Sequence, residues 1–581
     1  MCHRKELGTG ESASQALVGK RTQEVSNQIL DYLRDPMVGT ICLWGQGGVG
    51  KTTIMRNITQ QLKDGIEIFD QVIWVTISEN MSLKRLQDEI ASQLDITLSV
   101  NDDVLKRAMR ISEGVKKIKT WFFVLDDAWG PVPLDKIGIP TPEAGDGCKI
   151  VITSRFYSHR VDKLINLTPL SDEEAWGLFV NKCGDRVLHP SIEGAAKEIV
   201  KHCMGLPIAI VTVGCAMRDK EEVTCWRDAL EDLERSKRGY RENGTGLLRF
   251  GYNQLKNDPV RMCFLYCALF PEDYKFEPEE LIRYWMAGDC LPNNGILASV
   301  GEGAEILREL KDANMIQMVM EGGHERLTMH DLHRELALTL VEIKHNFLVR
   351  AGLLLNDFPP ILEYRHAKSI SLIKNRIDRL NDAPSCRSLT SLFLRNNPLS
   401  HVTTLFFRDM PKLQVLDMSY SGITHLPQSL SSLASLRVLF LQYCTSLKKI
   451  PSLENLQRLQ ALNLRGTLIK VLPPGMKSLV KLKSLDLSET IKLSNVQSGL
   501  LSSLSNLEEL HLQGSLLCRM QSSIVAEFSK EIRSLKQLTI LTLSTVGFED
   551  HLDTILHLQE QNLKSFSINV YGSTQDYAED V

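Results

Sequence analysis

The feature that most constrains the fold is a leucine repeat in the second half of the chain. The pattern Leu-x-x-Leu-x-Leu recurs at intervals of 24, 23, 23, 23, 25 and 31 residues, counting one copy that ends in methionine. One repeat cannot bury its row of leucines alone, so this spacing predicts neighbouring repeats stacked into a curved solenoid. The copies begin at Leu389, Leu413, Leu436, Leu459, Leu482, Leu507 and Leu538.

Two weaker copies, beginning at Ala367 and Leu563, extend the repeat at both ends. The alternative is a leucine-rich helical bundle. It would need helical periodicity, which a nearly fixed spacing of 23 residues does not supply. We therefore predict an α/β leucine-rich-repeat solenoid for this part of the chain.

The first half of the chain has a different hydrophobic pattern, in which short apolar runs alternate with stretches of helical periodicity. Strands that alternate with helices predict a parallel sheet covered on both faces. Between about 165 and 345 the pattern is mostly helical. The apolar runs are 40–44, 71–76, 121–125 and 149–153, and the helical stretches include 21–34, 54–62 and 83–94.

Composition narrows the class of protein. The 581 residues carry 67 Lys and Arg against 71 Asp and Glu, a net charge of −4, which argues against a strongly basic nucleic-acid or membrane-surface binder. A hydrophobic content of 43% excludes a mainly disordered chain. The thirteen cysteines include no Cys-x-x-Cys pair, and the N-terminus has no apolar signal region. We expect a cytoplasmic protein without a transmembrane segment, and a peripheral plasma-membrane or nuclear pool stays open.

Residues 45–53 match the phosphate-binding pattern G-x-x-x-x-G-K-[ST] between an apolar strand and a helix. The glycines let backbone N–H groups surround phosphate oxygens, Lys51 reaches the β- and γ-phosphates, and the Thr52 hydroxyl ligates Mg²⁺. A glycine-rich turn without a ligand is the alternative. The predicted nucleotide contacts are Gly45, Gly47, Gly48, Val49, Gly50, Lys51, Thr52 and Thr53.

An acidic pair ends the third apolar run, at the sheet edge where parallel sheets bind their ligands. We assign Asp126 to Mg²⁺, together with Thr52, and expect Asp127 to orient water or to cap the next segment. The fourth run delivers Arg155 to the same edge, where it would contact a γ-phosphate or form a surface ion pair. Asp126 and Asp127 are thus the candidate catalytic residues.

Six motifs stand in the order typical of the NB-ARC module, and with the leucine repeats the chain resembles plant nucleotide-binding leucine-rich-repeat disease-resistance proteins. Trp129 after the acidic pair and the CFLYCALFP segment resemble the coiled-coil subclass. The motifs are 45–53, LDDAW from Leu125, GCKIVITSR from Gly147, GLPIA from Gly205, CFLYCALFP from Cys263 and Met329-His330-Asp331.

The resemblance implies further roles. Val18 and Gly19 match residues beside the adenine, Pro207 matches a proline that packs on the nucleotide, and His330 matches a histidine that contacts the β-phosphate of ADP. It also implies that ADP holds the off state and ATP the on state. From the residues alone, His330 and Asp331 are a helix-start pair, and His330 with His333 lacks a third metal ligand.

The expected fold class is an α/β P-loop nucleotide-binding domain with helical and winged-helix domains, followed by the solenoid. The expected segments are a disordered N-terminal segment 1–16, the P-loop domain 17–160, a helical domain 161–240, a winged-helix domain 241–350, the solenoid 351–570 and a polar tail 571–581.

The leading hypothesis is an ADP/ATP switch for pathogen perception that binds Mg²⁺ and is at most a slow ATPase, because Asp127 stands where a catalytic Glu would favour turnover. Its solenoid would bind a pathogen effector or a guarded host protein. Self-association or pairing with a full-length relative stays open. The residues expected to face solvent on the recognition surface, or else to pack on the chain's own nucleotide domain, are Phe393, Arg395, Phe440, Gln442, Arg465 and His511.

Three alternatives remain. One is a P-loop ATPase with steady turnover, and another is a winged-helix nucleic-acid binder, which the net charge disfavours. The third is a truncated regulatory or adaptor form, because the coiled-coil subclass carries an N-terminal signalling domain and only a short polar segment precedes Val18.

Overall fold

The computed structural model describes residues 17–65, 68–77, 82–99, 102–157, 160–239, 245–292, 294–321, 323–381, 385–494, 496–515, 530–546 and 563–571. The expected disordered segment 1–16 and nearly all of the polar tail lie outside this range. The chain divides into two compact units. The first consists of Met1–Leu255 with Asp312–Met315, and the second of Lys256–Lys311 with Ile316–Val581.

The first unit is built on a five-stranded parallel sheet in the order β2-β3-β4-β1-β5. Four strands match the predicted apolar runs, and β4 lies buried along its whole length because helices cover both faces. The fifth strand was not predicted and pairs with β1, beyond the expected domain end at residue 160. The strands are β1 Thr40–Trp44, β2 Gln71–Thr76, β3 Trp121–Ala128, β4 Lys149–Ser154 and β5 Lys163–Asn166.

Ten α-helices complete the described part of the first unit. The tenth helix, Thr245–Gln254, was expected in the winged-helix domain but belongs to this unit. A 3₁₀ helix covers Asp185–Leu188. The helices are α1 Lys20–Arg34, α2 Lys51–Gly65, α3 Leu83–Gln93, α4 Val104–Val115, α5 Leu134–Ile137, α6 Asp172–Cys183, α7 Pro190–His202, α8 Pro207–Met217, α9 Val223–Gly239 and α10 Thr245–Gln254.

The second unit begins with four helices and an antiparallel hairpin, the elements of a winged helix. Their core is aromatic. The Trp285 indole donates a hydrogen bond to the carbonyl of Cys263 at 2.9 Å, and both residues are buried. The elements are α11 Asp258–Cys267, α12 Pro278–Ala287, α13 Ile296–Asp312, β6 Gln317–Glu321, β7 His324–Thr328 and α14 Asp331–His345.

The remainder of the second unit is the predicted solenoid. Ten parallel strands form one sheet, in the order β19-β18-β17-β16-β15-β14-β13-β11-β9-β8. The middle leucine of each repeat pairs in register with the next, as Leu392 does with Leu416, and both are fully buried. The predicted solenoid is therefore confirmed. Its sheet begins with a strand, 347–349, that lies before the expected boundary at 351.

The solenoid strands are short. Those of the main sheet are β8 Phe347–Val349, β9 Ser369–Ser371, β11 Ser391–Phe393, β13 Val415–Asp417, β14 Val438–Phe440, β15 Ala461–Asn463, β16 Ser484–Asp486, β17 Glu509–His511, β18 Ile540–Val546 and β19 Ser565–Tyr571. Strands β10 Arg379–Leu380 and β12 His401–Val402 form a separate parallel pair. The helical turns are α15 Ile361–Tyr364, α16 Leu500–Ser503 and the 3₁₀ helices Gln428–Ser432 and Met476–Ser478.

A buried column of polar side chains joins successive repeats. The Asn397 amide donates to the carbonyls of Leu394 in its own repeat and Leu372 in the preceding one, both at 2.8 Å. Threonine takes the equivalent place further along, where the Thr467 hydroxyl donates to the carbonyl of Leu464 at 2.8 Å. Each such side chain satisfies turn carbonyls that no strand reaches, so the column fixes the turn after each strand.

Helix α12 packs against the concave face of the solenoid. The Tyr284 hydroxyl donates to the carboxylate of Asp417, which is fully buried, and the Tyr284 ring lies 5.5 Å from that of Phe393 and 6.2 Å from that of Phe440. The expectation that Phe393 and Phe440 face solvent is therefore wrong, because α12 covers them. They pack on the winged-helix part of their own unit.

Ion pairs complete this contact. Arg395, also expected to face solvent, is 6% exposed and pairs with Glu280 at 2.7 Å. Arg283 donates to both carboxylate oxygens of Glu509. Burial alone would raise the pKa of Glu509, but Arg283 and His511 hold it well below its usual range.

The rest of the concave face is more open. Gln442 and His511 are half-buried and Arg465 is exposed. A cavity of about 590 Å³ is lined by α12 on one side and by this part of the concave face on the other. Within the described residues, none of the helices is both long and apolar enough to pass through a membrane.

Candidate nucleotide-binding site

The phosphate loop connects β1 to α2. Its glycines Gly48 and Gly50 adopt φ angles of 76° and 105°, which only glycine reaches without strain. The Lys51 side chain is buried and donates from Nζ to the carbonyls of Gly45 and Gln46, at 2.7 and 3.1 Å. Burial lowers the pKa of Lys51 to about 8, against the raising effect of Asp127. Lys51 is thus cationic at neutral pH and lies on the loop.

The loop has the shape that a phosphate group needs. A Cβ placed on Gly50 would meet no heavy atom within 4 Å, and one on Gly47 would meet only the Arg155 side chain. Of the other predicted contacts, Val49 lies in the loop, where its N–H donates to the Gln46 carbonyl at 3.3 Å, and Thr53 lies in the first turn of α2. A concave loop before a helix N-terminus fits an anion.

Asp126 and Thr52 lie together at the carboxyl end of β3. The Thr52 hydroxyl donates to Asp126 Oδ1 at 3.1 Å, and the Thr153 hydroxyl donates to the same oxygen at 2.6 Å. Asp126 is 3% exposed, and this burial raises its pKa to about 6 against the lowering effect of its two hydroxyl donors. A carboxylate and a hydroxyl this close are ligands that Mg²⁺ prefers, so the residues fit the metal.

The Asp127 carboxylate has a different partner from the Asp126 carboxylate. The backbone carries a register shift between Leu125 and Ala128, and Asp127 has a φ of 53°. Its N–H donates to the Thr153 hydroxyl at 2.8 Å, while its carboxylate accepts from Nε and Nη2 of Arg155 at 3.3 and 3.2 Å. The structure therefore joins the two residues as an ion pair.

The segment around Pro207 also lies near the loop. Pro207 starts α8, and the N–H of the next residue, Ile208, is 3.4 Å from the Gly48 carbonyl and donates to it. Gly19 caps α1, and a Cβ there would lie 2.9 Å from Leu170. The neighbouring Val18 is 39% exposed.

His330 lies in the second unit, where it caps α14 by accepting a hydrogen bond from the Leu332 N–H at 3.2 Å. This is the helix-start role that the residues alone suggest for His330 and Asp331. The nearby His333 is fully buried, which lowers its pKa to about 3. The contact of His330 with a β-phosphate stays a prediction.

Two residues of the site escaped the sequence analysis. Thr153 bonds to both acidic residues, and Trp129 lies with its ring 4.3 Å from the Arg155 guanidinium carbon. The placement of Thr153 on the strand next to β3, at its carboxyl end, was a usable signal. Trp129 was noted only as a marker of the subclass.

Three family models match the chain. The NB-ARC domain matches residues 22–189, the disease resistance protein winged helix domain 269–337, and the leucine rich repeat 387–445. A solved leucine-rich-repeat protein of Leptospira interrogans is 22% identical to this chain. The match covers 37% of this chain and 64% of that protein, with a TM-score of 0.27, and it adds nothing to the family assignment.

Relatives from Arabidopsis thaliana match much more of the chain. Probable disease resistance protein At1g61300 is 33% identical over 96% of this chain and 71% of its own length. Disease resistance protein At4g27190 is 34% identical over 90% of this chain, and disease resistance protein RPS5 is 33% identical over 87%. The chain spans 55% of the length of each of these last two. With three family models in the predicted order and these relatives, the chain belongs to the plant NB-ARC leucine-rich-repeat disease resistance proteins.

Proposed function

We propose that this chain is an ADP/ATP-dependent switch in plant disease resistance, with ADP in the autoinhibited state and ATP in the active state. The observation that carries the proposal is the placement of Lys51, Thr52 and Asp126 around one concave phosphate loop. These groups supply a cation for the phosphates and oxygen ligands for Mg²⁺, which would neutralise phosphate charge when bound.

Slow turnover is part of the proposal. A fast P-loop ATPase needs a group that orients the attacking water, and Asp127 is the candidate by position. Its carboxylate is instead engaged by Arg155 at 3.2 Å, and the pair is largely buried. This arrangement supports a nucleotide-retaining switch over an ATPase with steady turnover.

The proposed partner of the solenoid is a pathogen effector or a guarded host protein, bound at the open part of the concave face near Gln442, Arg465 and His511. Nucleic acid is a poor fit for the winged-helix part, because three of its basic residues are ion-paired. Lys275 pairs with Glu321, Arg326 with Glu277, and Arg283 with Glu509.

The test is the nucleotide that copurifies with the full chain, measured by chromatography after denaturation and compared with Lys51→Ala. We expect ADP close to one per chain in the unmodified protein and a large loss in the variant. Multiple turnovers of added ATP per minute would instead support the ATPase. Equal nucleotide content in both proteins would overturn the site.

A further inference from the structure

The guanidinium of Arg155 is held from two sides in the first unit. The carboxylate of Asp127 accepts two hydrogen bonds from it, and the indole ring of Trp129 lies against it with 4.3 Å between the Arg155 Cζ atom and the ring centroid. The Arg155 and Asp127 side chains expose only 17% and 16% of their surface. Arg155 therefore occupies a defined position.

That position faces the phosphate loop. A Cβ placed on Gly47 would lie 3.7 Å from the Nε of Arg155 and 3.8 Å from its Cζ and Nη1 atoms. The guanidinium thus borders the loop that would enclose the phosphates.

Packing alone does not explain a tryptophan at position 129. Its indole Nε1 is buried and has no hydrogen-bond partner among the described residues. A buried N–H without a partner is unfavourable, so leucine or phenylalanine would fill this space at less cost. What the indole offers over both is the strongest cation-binding aromatic face.

We propose that Trp129 is a positioning residue that holds Arg155 beside the phosphate loop, where the guanidinium donates to the γ-phosphate of ATP while it stays paired with Asp127. The inference rests on the proposed function, since it deepens the account of the same site. ADP has no γ-phosphate. Trp129 therefore acts on ATP binding and leaves ADP binding nearly unaffected.

The test measures the affinities of the full chain for ATP and ADP by titration calorimetry. We expect Trp129→Leu to weaken ATP binding by about threefold to thirtyfold, the range of a desolvated cation–π contact, with ADP binding nearly unchanged. Trp129→Phe keeps an aromatic ring with a weaker cation-binding face. Its ATP affinity is expected to lie between those of the unmodified chain and Trp129→Leu. Trp121→Phe is the matched control, because Trp121 begins β3, the strand that ends just before Trp129, and packs on Phe123.

A double variant separates positioning from a structural role. In an Arg155→Ala background, Trp129→Leu is expected to add no further loss of ATP affinity. Equal losses of ATP and ADP affinity in Trp129→Leu, or Trp129→Phe behaving as Trp129→Leu, would overturn the inference. If Arg155→Ala weakens ATP binding selectively while Trp129→Leu does not, the inference fails and the proposed site stands. If Lys51→Ala leaves both affinities unchanged, the proposed site itself fails.

Discussion

The ammonium of Lys51 has a more restricted environment than most lysines. It donates to two loop carbonyls and is 6% exposed, so its position depends on the loop conformation rather than on solvent. A compact ammonium satisfies carbonyls this close together, whereas the planar guanidinium of arginine has a different donor geometry.

Lys51→Arg is therefore expected to weaken ATP and ADP binding severely, although the charge is kept. Isothermal titration with both nucleotides measures this. Lys106→Arg, an exposed change on α4 in the same unit, is the control and should bind like the unmodified chain. Near-unchanged affinity in Lys51→Arg would contradict the assignment of Lys51 to the phosphates.

Mg²⁺-dependent binding is expected to weaken as the pH falls through about 6, the raised pKa of the buried Asp126. Above that pH Asp126 is ionised and would ligate the metal. Below it the neutral carboxyl does not, so the Asp126 contribution shrinks about tenfold per pH unit. The measurement is the affinity for nucleotide with and without Mg²⁺ between pH 5 and 8.

The terminal phosphate of the nucleotide also titrates near pH 6, so the comparison must be made with Asp126→Asn. That variant has no carboxyl to protonate. The ratio of the two Mg²⁺-dependent affinities isolates the contribution of Asp126. A ratio that stays constant from pH 5 to 8 would show that Asp126 is not the metal ligand.

At the scale of elements, α12 is the helix whose neighbours were hardest to predict. The leucine spacing predicted the solenoid strands, because each repeat contacts only the next one. Nothing in that spacing indicates that Phe393 and Phe440 meet Tyr284, which lies more than a hundred residues earlier. Periodicity records which side of a strand is apolar, and long-range packing decides what covers it.

The same limit applies to the nucleotide site. The loop and Thr52 were predicted because consecutive residues carry the pattern, and Asp126 was predicted because it ends a buried apolar run. The engagement of Asp127 by Arg155 depends on a register shift between β3 and β4, which has no local sequence signature.

Tyr284→Phe is expected to destabilise the full chain. The change removes the Tyr284 donor from the buried carboxylate of Asp417, which keeps a hydrogen bond from the Ser419 N–H at 2.9 Å. Losing a hydrogen bond to a charged group costs about 1.5–3 kcal/mol. Urea unfolding of the full chain, followed by tryptophan fluorescence, measures the change in the free energy of unfolding.

Tyr420→Phe is the control, because Tyr420 is 40% exposed and its ring contact with Tyr443 survives the change. Equal shifts would contradict a special role for the Tyr284 hydroxyl.

At the scale of the whole molecule, the proposed switch requires the second unit to respond to the nucleotide held by the first. The family resemblance assigns this coupling to His330. In the structure His330 also has a local task, since it caps α14. Capping needs a side-chain acceptor, whereas the phosphate contact needs a side-chain donor.

His330→Ala is expected to speed ADP release by about tenfold to a hundredfold, the equivalent of one hydrogen bond to a charged group. Asp331→Val should do the same, and ATP binding should change little because Lys51, Thr52 and Asp126 remain. Stopped-flow release of a fluorescent ADP analogue measures both. His330→Asp is the informative variant: aspartate caps a helix well but cannot donate to phosphate when ionised. Slow release in His330→Asp would leave capping as the role of His330.

The cover that α12 lays over the concave sheet also decides where this scaffold accepts new side chains. Positions 393, 417 and 440 are closed to randomisation, because every substitution there must still match the α12 surface. Positions 465 and 513 are exposed in the turns that follow β15 and β17, and they take no part in the α12 contacts described above. A library built to give the solenoid a new binding specificity should therefore vary exposed positions such as these, while the positions that meet α12, Glu509 in a later repeat included, stay unchanged.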